Sequence, residues 1–450
     1  MQVPMTKKRE RISRAMPPLP PSPWHQHQGL PRSCQRILCL LVIALLCSTS
    51  IAFAQNTSPE GDNGLKIGSG RLHPFVEAYT HYIYNPHRIP REAETALEDT
   101  AGSVFGVRPG ADYLLPSAFT EIELQALADL RYFSNSHLPD NLLIGSDTRL
   151  SVLFNKESTL PIKITPRLLR TDKPANQVTT GSLMSNAFHF DVHGKWKPGG
   201  GAFTLDFRAP VVQTSYDAKS TTRYDRLNNL NMRPAVRLSW KLLPKTALIL
   251  DAVSNLIRYS DHTYSTDIDF VTVYLGLAGA ITPRVSTLIK AGWTEPLYAT
   301  QFMKETKGFV GQFTLGYKIS DTLDVTLGGG QEVKPTPLFN YHKDVYTNLG
   351  VLLRMGTGIT LDFDFEARTL DYGTPSIDPG DLIFGLDERN DTFIKPSLVI
   401  SYLATRWLTV SLHNSYEFRD TGAFRINIDN RMVTGGYNYF DSFLRLSFRY

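Results

Sequence analysis

His189, Asp191 and His193 alternate with Phe188, Phe190 and Val192, so an extended chain sets them on one face, about 6.8 Å apart. Imidazole and carboxylate are zinc ligands, but at this spacing a polar stripe is the simpler reading, and no metal is assigned. The neighbours Asp261 and His262, just past a strand pattern, are the kind of pair a barrel protease keeps. His413 and Ser415 share the polar face of their segment, whereas a phospholipase-like barrel aims such a pair at lipid. Asp378, Asp381, Asp387 and Asp391 crowd one polar stretch without the ligand spacing of a calcium loop. The sequence holds no phosphate-cradling glycine loop, no HExxH and no nucleophile elbow. All three cysteines (Cys34, Cys39, Cys47) fall in the first 47 residues, which removes disulfides and thiol chemistry from the rest. Neither catalysis nor a cofactor is expected.

The elements that carry these residues alternate with period two. In residues 358 to 369, Ile359, Leu361, Phe363, Phe365 and Ala367 point one way and Thr360, Asp362, Asp364, Glu366 and Arg368 the other. Phe203, Leu205 and Phe207 oppose Thr204, Asp206 and Arg208 in the same manner, and Ile122, Leu124, Ala126, Ala128 and Leu130 oppose Glu121, Glu123, Gln125 and Asp129. One face of each strand is greasy and the other charged.

Tight turns are placed near Pro116, Ser158, Pro198, Pro244, Pro283, Ser320, Gly356 and Ala404. Longer polar connections alternate with them, for example 215–230, 297–307, 335–343 and 371–391. Eight turns join sixteen strands; a first strand at about 72–84 and a last at about 438–450 predict 18, with 16 as the alternative. Even-numbered long strands, short turns on one side and long loops on the other describe an all-β, antiparallel, up-and-down transmembrane barrel. A soluble β-sandwich or propeller shares the alternation but not the strand length. No apolar run after the leader is long enough for a membrane helix. In hydrocarbon an open sheet edge has no water to satisfy it, so the last strand must meet the first. Tyr82, Tyr84, Trp240, Trp293, Tyr402, Trp407, Tyr416 and Phe418 lie near strand ends, where interfacial girdles belong.

Residues 1–54 form the expected signal peptide. The apolar run ILCLLVIALLC at 37–47 follows Arg32 and Arg36, and the Ala52-Phe53-Ala54 end suits a signal peptidase. The long polar stretch before it fits a true start at Met16 or later. Residues 55–71 make a short periplasmic tail and 72–450 the barrel, in the outer membrane of a Gram-negative cell. The chain has 47 Lys+Arg and 43 Asp+Glu; seven of the basic residues and one acidic residue lie in the leader, so the remainder holds 40 against 42. Such a balance gives no electrostatic footprint for nucleic acid.

With greasy faces toward lipid, the charged faces line an aqueous interior. The predicted pore-lining residues are Glu121, Glu123, Asp129, Arg131, Asp206, Arg208, Asp324, Asp362, Asp364, Glu366, Arg368, Glu417 and Arg419, with Lys163, Arg167, Lys195, Lys395, Arg445 and Arg449 on the same faces. The near-even balance points to neutral, hydrogen-bonding cargo. At the end of the chain Leu444, Leu446, Phe448 and Tyr450 share one face, a pattern similar to the signal read by the barrel-assembly machinery.

RLHPFVEAYTHYIYN, VRPGADYLL, KPGGGAF, PAVRLSWKLLPKTALILDA and the closing FLRLSFRY resemble the outer-membrane β-barrel porins encoded with exopolysaccharide and capsule export systems. The resemblance covers most of residues 70–450. It implies an 18-stranded porin through which a polymer made by a flippase/polymerase (Wzy-type) pathway leaves the cell, handed over by a periplasmic polysaccharide-export protein. A diffusion or uptake porin for small solutes or sugars is the alternative, and an outer-membrane enzyme or adhesin the third reading.

Overall fold

The computed structural model describes residues 64–85, 101–134, 142–171, 184–217, 228–260, 267–297, 307–336, 340–356, 358–373, 389–421, 425–428, 431–434 and 436–450. The leader with Ala52 and Ala54, and Asp261, His262, Asp378, Asp381 and Asp387, lie outside them.

The strands in chain order are β1 (Gly70–Tyr84), β2 (Ala101–Pro116), β3 (Thr120–Phe133), β4 (Leu142–Phe154), β5 (Ile162–Thr171) and β6 (Ser185–Trp196). They continue as β7 (Phe203–Tyr216), β8 in two pieces (Asn229–Met232 and Ala235–Leu243), β9 (Thr246–Tyr259), β10 (Ile268–Ala280), β11 (Val285–Pro296) and β12 (Gly308–Lys318). The last six are β13 (Leu323–Thr336), β14 (Asn340–Met355), β15 (Ile359–Tyr372), β16 (Asn390–Thr405), β17 (Leu408–Thr421) and β18 (Tyr437–Arg449). Each pairs antiparallel with the next, and β18 returns to β1 along a register from Phe75 opposite Arg449 to Tyr84 opposite Phe440. The result is a closed barrel of 18 strands. β8 is interrupted where Pro234 offers no N–H, yet both pieces pair with β7 and β9. A three-residue strand, Leu65–Ile67, folds back on the start of β1 within the predicted tail, and Arg425–Ile428 pairs with Arg431–Thr434 between β17 and β18.

All eight predicted turns lie in, or within two residues of, the connections between consecutive strands at one end of the barrel; Pro116 and Ala404 themselves still belong to β2 and β16. Two of them, Pro244-Lys245 and Arg406-Trp407, close next to register shifts at Lys241/Leu243 and Leu403/Thr405, where one extra residue lets strongly twisted strands turn. The expected connection at 335–343 is corrected: β13 runs to Thr336 and β14 restarts at Asn340, with Lys334 opposite His342. His342 is buried on the inner side of that strand pair, and composition alone makes the pairing look like a loop.

The outer face is apolar and exposed. Leu238, Leu250, Leu275, Ile289, Phe313, Leu327 and Val345 project from it. Aromatic rings edge the band: Tyr82, Trp240, Trp293, Tyr402, Trp407 and Tyr416 are all exposed, and Phe203 stacks on Trp240 while Trp407 stacks on Phe448. Water would penalise such a surface heavily; lipid does not. Phe448 and Tyr450 belong to this face, and the Tyr450 N–H donates to the Pro74 carbonyl at 3.1 Å, fixing the last residue to the first barrel strand.

Candidate functional site

The face opposite the apolar belt is the inner wall, and the strand pairing puts every predicted pore-lining residue on it. Opposite charges on neighbouring strands meet there. Arg149 bonds Glu123, Arg167 clamps Asp147 through two nitrogens, Arg208 bonds Asp191 and Arg237 bonds Asp251. On the far side Arg354 pairs with Asp324, while Lys334 and Arg368 share Asp344, with Glu366 also on Arg368. Register explains the pattern, since directly opposed or diagonal residues of one face lie within side-chain reach.

The histidine stripe is part of this pairing. Asp191 accepts from Arg208 at 2.9 Å, and the His193 ring nitrogen lies 3.1 Å from Asp206. Among the described residues no group of three or more His, Cys, Asp or Glu is arranged to hold a metal. His413 stacks on Phe443 at 4.8 Å on the inner wall, the face the sequence assigned to it.

Exposure divides the wall along its axis. Toward the turns its side chains are wet: Arg208, Arg237 and Arg354 are about half exposed. Toward the long connections they are shielded, as Val104, Ile268, Asp344, Leu370 and Tyr437 show. Two predicted residues are corrected here. Glu417 and Arg419 face inward but are 6% and 2% exposed, so they line no water. Glu417 accepts from the Tyr437 hydroxyl, and Arg419 bonds both Asp391 and the Tyr372 hydroxyl. Asp391, assigned by sequence to an acidic loop, instead lies in β16, fully buried between Arg389 and Arg419.

Two recesses open in the wet part on β10 to β16. One of about 600 Å³ lies against Ser286, Gly316, Thr326, Asp324 and Asp362; the next, about 470 Å³, lies against Gln312, Thr314, Tyr346, Lys395 and Ser397. Asn348 and Asp364 border both, which joins them into one trough running inward from the turn end. Small residues make part of the room: Gly316 and Gly350 face inward on β12 and β14 and border the first recess. The trough is lined by hydroxyls and amides interspersed with charged side chains, Asp324, Asp362, Asp364 and Glu366 against Arg368 and Lys395. Neither Asp362 nor Asp364 has an ion-pair partner among the described residues. A third recess of about 440 Å³ lies on β4 to β9, bordered by Arg149, Lys163, His193, Arg208 and Arg237 together with Asp191, Asp206 and Asp251.

The charge census differs around the circumference. From β4 to β8 the inner face carries seven cations (Arg149, Lys163, Arg167, Lys195, Arg208, Arg237, Lys241) and three carboxylates (Asp147, Asp191, Asp206). From β13 to β15 it carries six carboxylates (Asp324, Glu332, Asp344, Asp362, Asp364, Glu366) and three cations (Lys334, Arg354, Arg368). The even balance read from sequence is thus a sum over two unequal arcs. Each arc is a run of consecutive strands, so the summed balance hides a segregation that lies along the chain.

No family model matches the chain, and no curated protein does. Solved structures with a similar fold include the siderophore receptor PirA from Pseudomonas aeruginosa, 11% identical, with 84% of this chain and 80% of that one covered and a TM-score of 0.45. OccAB3 of Acinetobacter baumannii is 10% identical, with 84% and 99% covered and a TM-score of 0.47. The siderophore receptor PirA from Acinetobacter baumannii is 8% identical, with 84% and 80% covered and a TM-score of 0.44. At such values the architecture rests on the strand pairing above. Closure, the lipid-facing belt and the polar interior define an integral β-barrel of the outer membrane with a channel-like inside.

Proposed function

We propose that the protein is an outer-membrane diffusion channel for small, uncharged, hydroxyl-rich solutes. The observation that carries this reading is the trough on β10 to β16. It is wet, continuous from the turn end, floored in part by Gly316 and Gly350, and presents Asn348, Gln312, Thr314, Thr326 and Ser397 between its charged side chains. Hydroxyls and amides exchange hydrogen bonds with a sugar-like solute at little cost relative to water. The cross-strand ion pairs leave few charges free to hold an ion of either sign along most of the wall. The test is swelling of liposomes loaded with purified protein in isosmotic glycerol, glucose, maltose and raffinose. Uptake falling smoothly with solute size is expected; no swelling in glycerol refutes the channel.

A second reading, export of a polysaccharide received from a periplasmic export protein, is supported by the resemblance of the hairpins to capsule and exopolysaccharide porins and by the same hydroxyl-lined trough. Surface-glycan staining of a deletion strain, with complementation, separates the two. Loss of surface polymer with synthesis intact supports export, and unchanged surface polymer removes it.

A further inference from the structure

We propose that the turn-end half of the channel is a transverse charge filter, with Lys163, Lys195 and Lys241 on one wall and Asp362 and Asp364 on the other, and that zwitterionic solutes are admitted alongside uncharged ones. The inference rests on the channel reading and adds a solute class to it. The cationic arc, β4 to β8, is centred on β6, and the acidic arc, β13 to β15, on β14; eight strands of eighteen separate them, close to half the circumference. Eighteen strands about 4.8 Å apart and tilted by roughly 40° give a backbone diameter of about 35 Å, so the two arcs face each other across water.

The five named residues matter because they are the uncompensated ones of the two arcs. The other cations of their arc are held by carboxylates on the same or neighbouring strands, whereas Lys163, Lys195 and Lys241 have no ion-pair partner among the described residues. Lys195 does stand directly opposite Asp206, whose nearest cross-strand partner is His193. Asp362 and Asp364 border the trough with Gly350 and Thr326 for neighbours, and Lys395 stands opposite Glu366 rather than either of them. Paired charges cancel within a few ångströms; unpaired ones project into the water between low-dielectric walls. An anion is drawn to one wall and a cation to the other, while a solute carrying both charges aligns across the axis without being held by either wall. Because the two arcs oppose each other, the open channel shows little net preference for either ion.

The test combines reversal potentials in a potassium chloride gradient across a planar bilayer with liposome swelling in γ-aminobutyrate and in erythritol. Three variants are compared with the parent: K163Q/K195Q/K241Q, D362N/D364N, and all five together. The expected outcome is a parent near zero selectivity, a shift toward cations in the lysine variant, and a shift toward anions in the aspartate variant, each at least about threefold in permeability ratio. The combined variant returns to near zero but loses about half or more of the γ-aminobutyrate rate relative to erythritol. Reversal potentials unchanged in both partial variants, or an unchanged rate ratio in the combined one, overturn the filter. Erythritol uptake by the parent shows that such a result counts against the filter alone; absence of conductance and swelling in the parent counts against the channel itself.

Discussion

The Tyr79 hydroxyl on β1 donates a 2.8 Å hydrogen bond to Asp129 on β3, reaching over the strand between them. Gly106 makes the reach possible, because a β-carbon there would overlap the tyrosine ring. Arg108 lies over that ring, 4.6 Å from its centre, and also bonds Asp129. Phe75 covers Gly110 in the same way, with Arg449 above it. Rings laid over inward glycines fill the wall where the sheet curves.

Replacing Gly106 with Val therefore forces Tyr79 off its seat. The expected loss is about 1–3 kcal/mol, read as a lower urea midpoint for heat-modifiable migration on gels. Adding Tyr79→Ala to Gly106→Val should recover part of the loss; a double variant no better than the single one would show that the clash is elsewhere.

Asp391 is the anion on which two buried guanidiniums depend. Asp391→Ala leaves Arg389 and Arg419 without their shared partner and should cost about 3–5 kcal/mol, since an uncompensated buried charge is worse than no pair at all. The same unfolding assay reads it, with Arg208→Ala, which breaks a half-exposed pair, as the mild comparison.

Leu275 projects from the middle of the outer belt and is 57% exposed. Leu275→Arg should lower stability in lipid by about 2–4 kcal/mol. The inward neighbour change Gly276→Ser is the wrong control, because a β-carbon there meets the β11 backbone; Thr314→Arg, facing the trough, should instead reduce conductance with little loss of stability. Equal destabilisation by both arginines would contradict the assigned faces.

Removing Phe448 and Tyr450 takes away the ring stacked on Trp407 and the bond to Pro74. Folded, heat-modifiable protein recovered from outer membranes should fall several-fold. Normal recovery would mean that this edge does not guide assembly.

Much of this is readable from residue order. Period-two alternation sorts the faces, and proline, glycine and serine mark most of the turns. Where the reading fails, the missing information is register. His342 falls in the stretch 335–343 that looks like loop, yet it lies in β14 directly opposite Lys334 of β13. Asp391 looks like one of several solvated acids until Arg419, 28 residues further on, is set beside it. The glycines of the trough are hidden for the same reason: Gly316 and Gly350 are far apart in sequence and share one recess only through the strand pairing. Ion pairing likewise cannot be counted before the partners are known, so a wall that totals near zero conceals two opposed arcs.

The seam between β1 and β18 joins residues such as Glu77 and Ser447, which are 370 positions apart. Local contacts cannot form such a junction early, and the cost of bringing distant segments together must be met before it yields any stability. Until then the N-terminal edge stays sticky, able to pair with a stray copy of the polypeptide. That edge must stay unpaired until the two ends meet, so biogenesis, more than the finished cylinder, is the fragile stage of this protein's life.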